Sequence, residues 1–169
     1  MREVDYTKMG TTDFDVDVWE EIVDLIRENE LTSQDIIENF MLFYRRVNFA
    51  KHLAHIEIFN KTIDLPGSIV ELGVFKGASF MTFLKLCDIH CSGDTLKKVI
   101  GFDTFSGFVE IDEKDGRENQ RRDLKKGGFS AGNFLSVLKA AIELEKADSF
   151  IPRFSRVELV EGDVIETVP

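Results

Sequence analysis

A chain of 169 residues buries enough surface for one domain, and its 43% apolar and 31% charged content fits a globular protein better than a disordered or fibrous one. Its 21 Lys and Arg stand against 31 Asp and Glu, a formal charge of -10, which argues against nucleic acid and anionic membrane surfaces as partners. Cys87 and Cys91 are too few for a disulfide-built secreted domain, no apolar run reaches membrane-spanning length, and Met1-Arg2-Glu3-Val4-Asp5 does not open a signal peptide, so the expected location is cytoplasmic.

Trp19, Ile22, Val23 and Ile26 recur at helical spacing and predict a first helix over 16–29. Thr32 with Asp35 has the pattern of a capping box. It opens a helical stretch expected from 33 to about 63, broken near Asn48 and ended by Pro66-Gly67. The apolar stripe of that stretch, from Ile36 and Phe40 to Phe59 and Ile63, is too wide for a coiled-coil seam and suits packing on a sheet or in a dimer. Beyond Gly67 the pattern changes. Strands are expected near 68–72, 98–102 and 156–161, with helices over 79–89 and 132–146 between them. Strand, helix and strand within about 35 residues is the spacing of a right-handed βαβ unit with parallel strands. From Ser106 to Gly132 the chain is charged and aperiodic, as in a lid or partly disordered loop. Its basic run, Arg117, Arg121, Arg122, Lys125 and Lys126, reads as a solvated face or as a lid over an anionic ligand.

The segment Val70-Glu71-Leu72-Gly73-Val74-Phe75-Lys76-Gly77-Ala78-Ser79 sits where a strand becomes a helix, and Gly73 and Gly77 allow the backbone to turn closely around a ligand. Its Gly-x-x-x-Gly spacing is neither the dinucleotide fingerprint nor a phosphate loop, which disfavours a phosphate cradle. Acids mark the strand ends. Asp103, 30 residues after Gly73, can accept both hydroxyls of a ribose; Asp163 can accept from an adenine amino group; Glu71 can orient the turn or receive an ammonium. Three acids around one crevice repel a diphosphate and suit a cationic nucleoside. Cys87, His90 and Cys91 lack an evident fourth zinc ligand and read as helix packing, as do His52 and His55. Tyr44, Arg45 and Arg46 read as ordinary helix residues or as a reach toward the crevice.

With these residues in view, the chain resembles the class I S-adenosylmethionine-dependent methyltransferases, and among them the macrocin O-methyltransferase (TylF/MycF) family. The matching stretches run from Gly67 to Ser79, from Gly101 to Phe108 and from Glu161 to Pro169, so that the resemblance spans about 33–169. It implies an α/β, Rossmann-like half-domain of three parallel strands (67–169) behind an N-terminal helical extension (1–66). It also implies a cofactor site. Glu71, Gly73, Val74, Phe75, Gly77 and Ser79 would line the methionine side, Asp103 would hold the ribose with Thr104, Phe105 and Ser106 flanking the nucleoside, and Asp163 with Val164 would border adenine. The implied activity is methyl transfer to a hydroxyl of a sugar-like or other small molecule, aided in the complete family enzyme by Mg2+. The acidic metal ligands of the family would follow its fourth and fifth strands, and the chain is expected to stop after the third, leaving no metal site, no identified catalytic residue, and doubt over catalysis. A non-catalytic oligomeric remnant and another nucleoside-binding Rossmann protein are the alternatives. With β1 expected at an open edge, a homodimer through that edge or through the long N-terminal helix is the expected cover.

Overall fold

Short β-prone runs separated by helical ones produce one sheet with helices packed on it. The computed structural model describes residues 13–111, 125–149, 151 and 154–168. Its elements are α1 (Asp13–Glu28), α2 (Ser33–Glu38), a 3-10 turn (Phe40–Leu42), α3 (Arg46–Thr62), β1 (Ile69–Leu72), α4 (Ala78–His90), β2 (Val99–Asp103), α5 (Phe134–Asp148), β3 (Val157–Glu161) and α6 (Val164–Thr167). The capping box forms as expected: Thr32 Oγ1 accepts from the Asp35 N–H at 3.2 Å, and Asp35 Oδ2 accepts from the Thr32 N–H at 2.9 Å.

The helical stretch expected from 33 to about 63 is broken, but not where expected. The break falls at Asn39–Arg45, earlier than Asn48; there both the backbone N–H and the side-chain amide of Asn39 donate to the Asp35 carbonyl, at 3.1 and 3.0 Å, and Asn39 caps the end of α2. The chain tightens into the 3-10 turn and leaves it through extended Arg45, whose guanidinium lies 5.6 Å from the centroid of the Trp19 ring on α1.

The strands pair in the order β1-β2-β3, all parallel, with Ile69 opposite Val99 and Val99 opposite Val157. Each helical crossover follows a strand, so the C-terminal strand ends gather on one side. One sheet face carries the core. Ile69, Val157 and Leu159 pack against a buried cluster built from Phe59 of α3, Phe80, Leu84 and Cys87 of α4, Val99 of β2, and Leu138 and Ile142 of α5. Gly101 is what lets α4 press on β2: a Cβ there would lie 2.6 Å from Val74 Cγ2 and 2.7 Å from Phe80 Cε2. By strand alternation Val70 and Leu72 point to the opposite face, where they are 55% and 59% exposed. Among the described residues the second edge of β1 has no partner strand. Nor, among them, is any helix long and apolar enough to cross a membrane.

At the other end of the sheet lies a buried cation. Arg156, just before β3, is 3% exposed. Its Nε donates to Asp88 Oδ1 at 2.8 Å, and its two terminal nitrogens donate to the carbonyls of Cys91, Ser92, Asp94 and Lys97. These carbonyls belong to the C-terminal end of α4 and the turn into β2, where helical hydrogen bonding has run out. Lys97, also buried, reaches the Leu65 carbonyl at 2.7 Å and ties the same turn to the approach of β1. Removing Arg156 takes the side-chain donor from four carbonyls and from the Asp88 carboxylate. Arg156→Ala is expected to cost about 3 kcal/mol in urea unfolding, and Arg156→Lys to recover less than half of it. A loss below about 1 kcal/mol for the alanine variant contradicts this role.

Candidate functional site

The C-terminal ends of β1, β2 and β3 form a crevice whose shape comes from two turns. In the turn after β1, Gly73, Phe75 and Gly77 have φ of 87°, 53° and 88°. The glycines serve different ends. A Cβ at position 73 would meet nothing within 4 Å, so glycine there supplies the left-handed conformation and leaves open space beside the strand end. A Cβ at 77 would lie 2.5 Å from Leu138 Cδ1, so that glycine lets α4 start hard against α5. Phe75 has no such exemption. It is held because its N–H donates to Asp103 Oδ2 at 2.7 Å. In the loop after β2, Phe105 has φ of 55°, and its N–H donates to the other oxygen, Asp103 Oδ1, at 2.6 Å. One carboxylate thus clamps both turns.

Glu71, one residue before the end of β1, lies beside it. Its Oε1 accepts the Ser79 hydroxyl, while Oε2 is buried and, among the described residues, has no hydrogen-bond partner. Burial raises the Glu71 carboxyl above its ordinary 4.5; the Ser79 hydrogen bond opposes this, and the charge of Asp103 adds to it. Asp163 follows β3 and accepts from the Ile165 N–H at 2.9 Å, which caps α6. Among the described residues no ion pair is made to Glu71, Asp103 or Asp163. Among these residues the three crevice acids carry no paired cation.

The expected site residues therefore gather at one end of the sheet, with unequal freedom. Val74 and Phe105 are 2% and 5% exposed, so their side chains belong to the core and only their main chain is available to a ligand. The Thr104 hydroxyl donates to the Gly107 carbonyl at 2.8 Å, while Ser106 and Val164 are exposed. The chain pattern did not reveal an aromatic wall at the crevice rim. The Phe75 and Phe129 rings lie 6.1 Å apart, Phe108 and Phe129 5.7 Å apart, and Lys76 Nζ is 4.7 Å from the Phe134 centroid. The only available signal was a phenylalanine surplus, which reads as core supply. Main-chain bonds from Phe108 N to Gly128 O and from Gly127 N to Phe108 O close the base of the 106–132 loop. Of its basic run, Lys125 and Lys126 are exposed, and Arg117, Arg121 and Arg122 lie outside the described residues.

The remaining clusters pack. Cys87 is buried, which pushes its thiol up to about 11, and the His90 ring sits 5.8 Å from that of Phe59. Among the described residues no three His, Cys, Asp or Glu side chains are grouped to hold a metal ion.

No protein-family model matches the chain, and no curated protein matches it. Solved structures do. The crystal structure of CalS11, calicheamicin methyltransferase, superposes with a TM-score of 0.82 at 28% identity, covering 94% of this chain and 62% of that one. The apo structure of CalS11, described as TDP-rhamnose 3'-O-methyltransferase, an enzyme in calicheamicin biosynthesis, gives 0.71 at 24% identity, over 94% and 59%. The chain thus spans about three fifths of the length of the structures it matches, 62% and 59%. Its fold is the Rossmann-like fold of class I methyltransferases, three parallel strands flanked by helices with a helical N-terminal extension, and it is related to that of CalS11.

The state of Glu71 has a measurable consequence. The folded chain holds the Glu71 proton more tightly than the unfolded chain, so this group adds stability below the ordinary value of 4.5, and the gain is lost as pH rises through the higher folded value. Glu71→Gln cannot titrate. The stability of the native chain minus that of Glu71→Gln, from urea midpoints between pH 4 and pH 7, is expected to fall with rising pH. Parallel curves contradict the assignment.

Proposed function

We propose that the chain binds S-adenosylmethionine at the C-terminal ends of β1, β2 and β3, as part of an O-methyltransferase acting on a hydroxyl of a sugar-like or other small molecule. The observation that carries this reading is the buried Glu71 Oε2, unpartnered among the described residues, in a crevice that holds two further carboxylates and, among those residues, no cation paired to them. A buried acceptor without a donor is costly, and an ammonium group satisfies it with charge as well as hydrogen bonds. Bound there, the cofactor supplies an electrophilic methyl group on a sulfonium.

The remaining work belongs to the chain. Glu71 takes the ammonium, and the open space at Gly73 admits the amino-acid end of the ligand. Asp103 spends one acceptor site per oxygen on Phe75 and Phe105; an ionised carboxylate has about four, so two remain for a ribose. Asp163, with one oxygen committed to the α6 cap, offers the other to an adenine amino group beside Val164. Thr104 and Ser106 flank the nucleoside. The acidic crevice favours a cationic donor over an anionic dinucleotide. The hydroxyl acceptor is supported by the resemblance to macrocin O-methyltransferases and by the likeness to CalS11. Mg2+ finds no fitting ligand group among the described residues. The open edge of β1, with Val70 and Leu72 exposed, favours cover by a further strand, and a homodimer through that edge or the N-terminal helices is one way to supply it.

Calorimetry tests the reading. S-adenosylhomocysteine is expected to bind, and Glu71→Gln to weaken it about tenfold through loss of a charge-assisted bond. Asp103→Ala is expected to weaken it as well; unchanged affinity rejects the ribose assignment. Binding of NAD with no binding of S-adenosylhomocysteine sinks the whole proposal.

A further inference from the structure

Outside the crevice, the break between α2 and α3 opens a groove of about 370 Å3 against α4. Small-molecule sites begin at about this size. Phe40, Tyr44, Phe49, Ile56, Met81 and Leu86 give it an almost wholly apolar lining. Its lining includes Ala78 in the first turn of α4, the residue before Ser79, which holds Glu71 of the crevice. The charge in its wall is already used, since Lys85 pairs with Glu145 of α5. A neutral groove suits an uncharged occupant.

Its polar group has a defined state. The Thr82 hydroxyl donates its one hydrogen to the Ala78 carbonyl at 2.8 Å. The 2.9 Å contact between Thr82 Oγ1 and His52 Nδ1 is then a bond that His52 donates. This places a hydrogen on Nδ1 and leaves Nε2 as the ring nitrogen not engaged by Thr82, the one that can meet a ligand hydroxyl in this wall. The Tyr44 ring, 5.4 Å from that of His52, completes the aromatic side; burial raises its hydroxyl pKa and keeps it protonated.

We propose that this groove holds the apolar, aromatic or polycyclic body of an uncharged acceptor, with His52 Nε2 accepting one of its hydroxyl hydrogens. The acceptor role rests on the cofactor reading above; the ligand class rests on the groove alone. His52 is a positioning residue here. It selects a hydroxyl and orients the body that carries it toward the crevice at Ala78.

The test uses the full chain carrying methyl-labelled methionine, with Met81 as the reporter in the groove wall. The probes are 2-naphthol, 2-methoxynaphthalene and 2-naphthoate. The Met81 methyl resonance is expected to shift saturably with 2-naphthol, about fivefold more tightly than with its methyl ether, the worth of one neutral hydrogen bond. The anionic naphthoate is expected to leave it unmoved. His52→Phe is expected to keep the ether and lose the preference for the naphthol. Thr82→Val, which removes the hydroxyl that engages His52 Nδ1, is expected to lose it too and serves if His52→Phe fails to fold. An unmoved Met81, an equal response to naphthoate, or a preference intact in either folded variant overturns the proposal. S-adenosylhomocysteine is titrated into the same sample. Its binding without a Met81 response overturns the groove alone. A Met81 response without its binding keeps the ligand class and overturns the acceptor role together with the cofactor reading.

Discussion

The carboxylate of Asp103 is the constraint on which the crevice depends. Two phenylalanines next to it, Phe75 and Phe105, adopt left-handed backbone conformations that cost a side-chain-bearing residue about 1–2 kcal/mol each. Both give their N–H to this one group, at 2.7 and 2.6 Å. Without it the two turns are no longer held to each other or to the end of β2. With it, Val74 and Phe105 are turned into the core, and Gly73 is left open. The same negative charge adds to the upward shift that burial imposes on the Glu71 carboxyl, so the scaffold of the site also acts on its electrostatics.

At the opposite end of the sheet Arg156 has the complementary task. Parallel strands need crossovers, and the crossover through α4 ends in a run of carbonyls with no helical partner. The planar guanidinium, with five donors in a fixed fork, answers four of them and Asp88 together. A lysine has the charge without the geometry. The chain is thus held by an anion that collects N–H groups where the strands end and a cation that collects carbonyls where they begin. Between these two clamps the apolar packing of α3, α4 and α5 covers one sheet face, and Val70 and Leu72 remain exposed on the other.

Much of this was legible along the chain. Ile69-Val70-Glu71-Leu72 and Val99-Ile100-Gly101-Phe102 read as strands because they are short, β-prone and bounded by turn residues, and the helices between them carry apolar residues at helical spacing. The strand-end acids were visible for the same local reason. The break at Asn39 was not, because a continuous apolar stripe hides a side chain that caps the end of α2. Arg156 was invisible too: an arginine before a strand reads as solvated until α4 and the following turn close over it.

The sequence by itself determined the order of strands and helices, the acidic charge and the glycines at 73 and 77, since period, composition and backbone freedom are local properties. Only the tertiary structure decided that Asp103 serves two loops, that Glu71 keeps an oxygen unpartnered among the described residues, and that His52 meets Thr82 across two helices. Each of these joins residues 8 to 30 positions apart. Hydrogen bonds at that separation depend on how elements pack, and packing is settled only when the whole core forms.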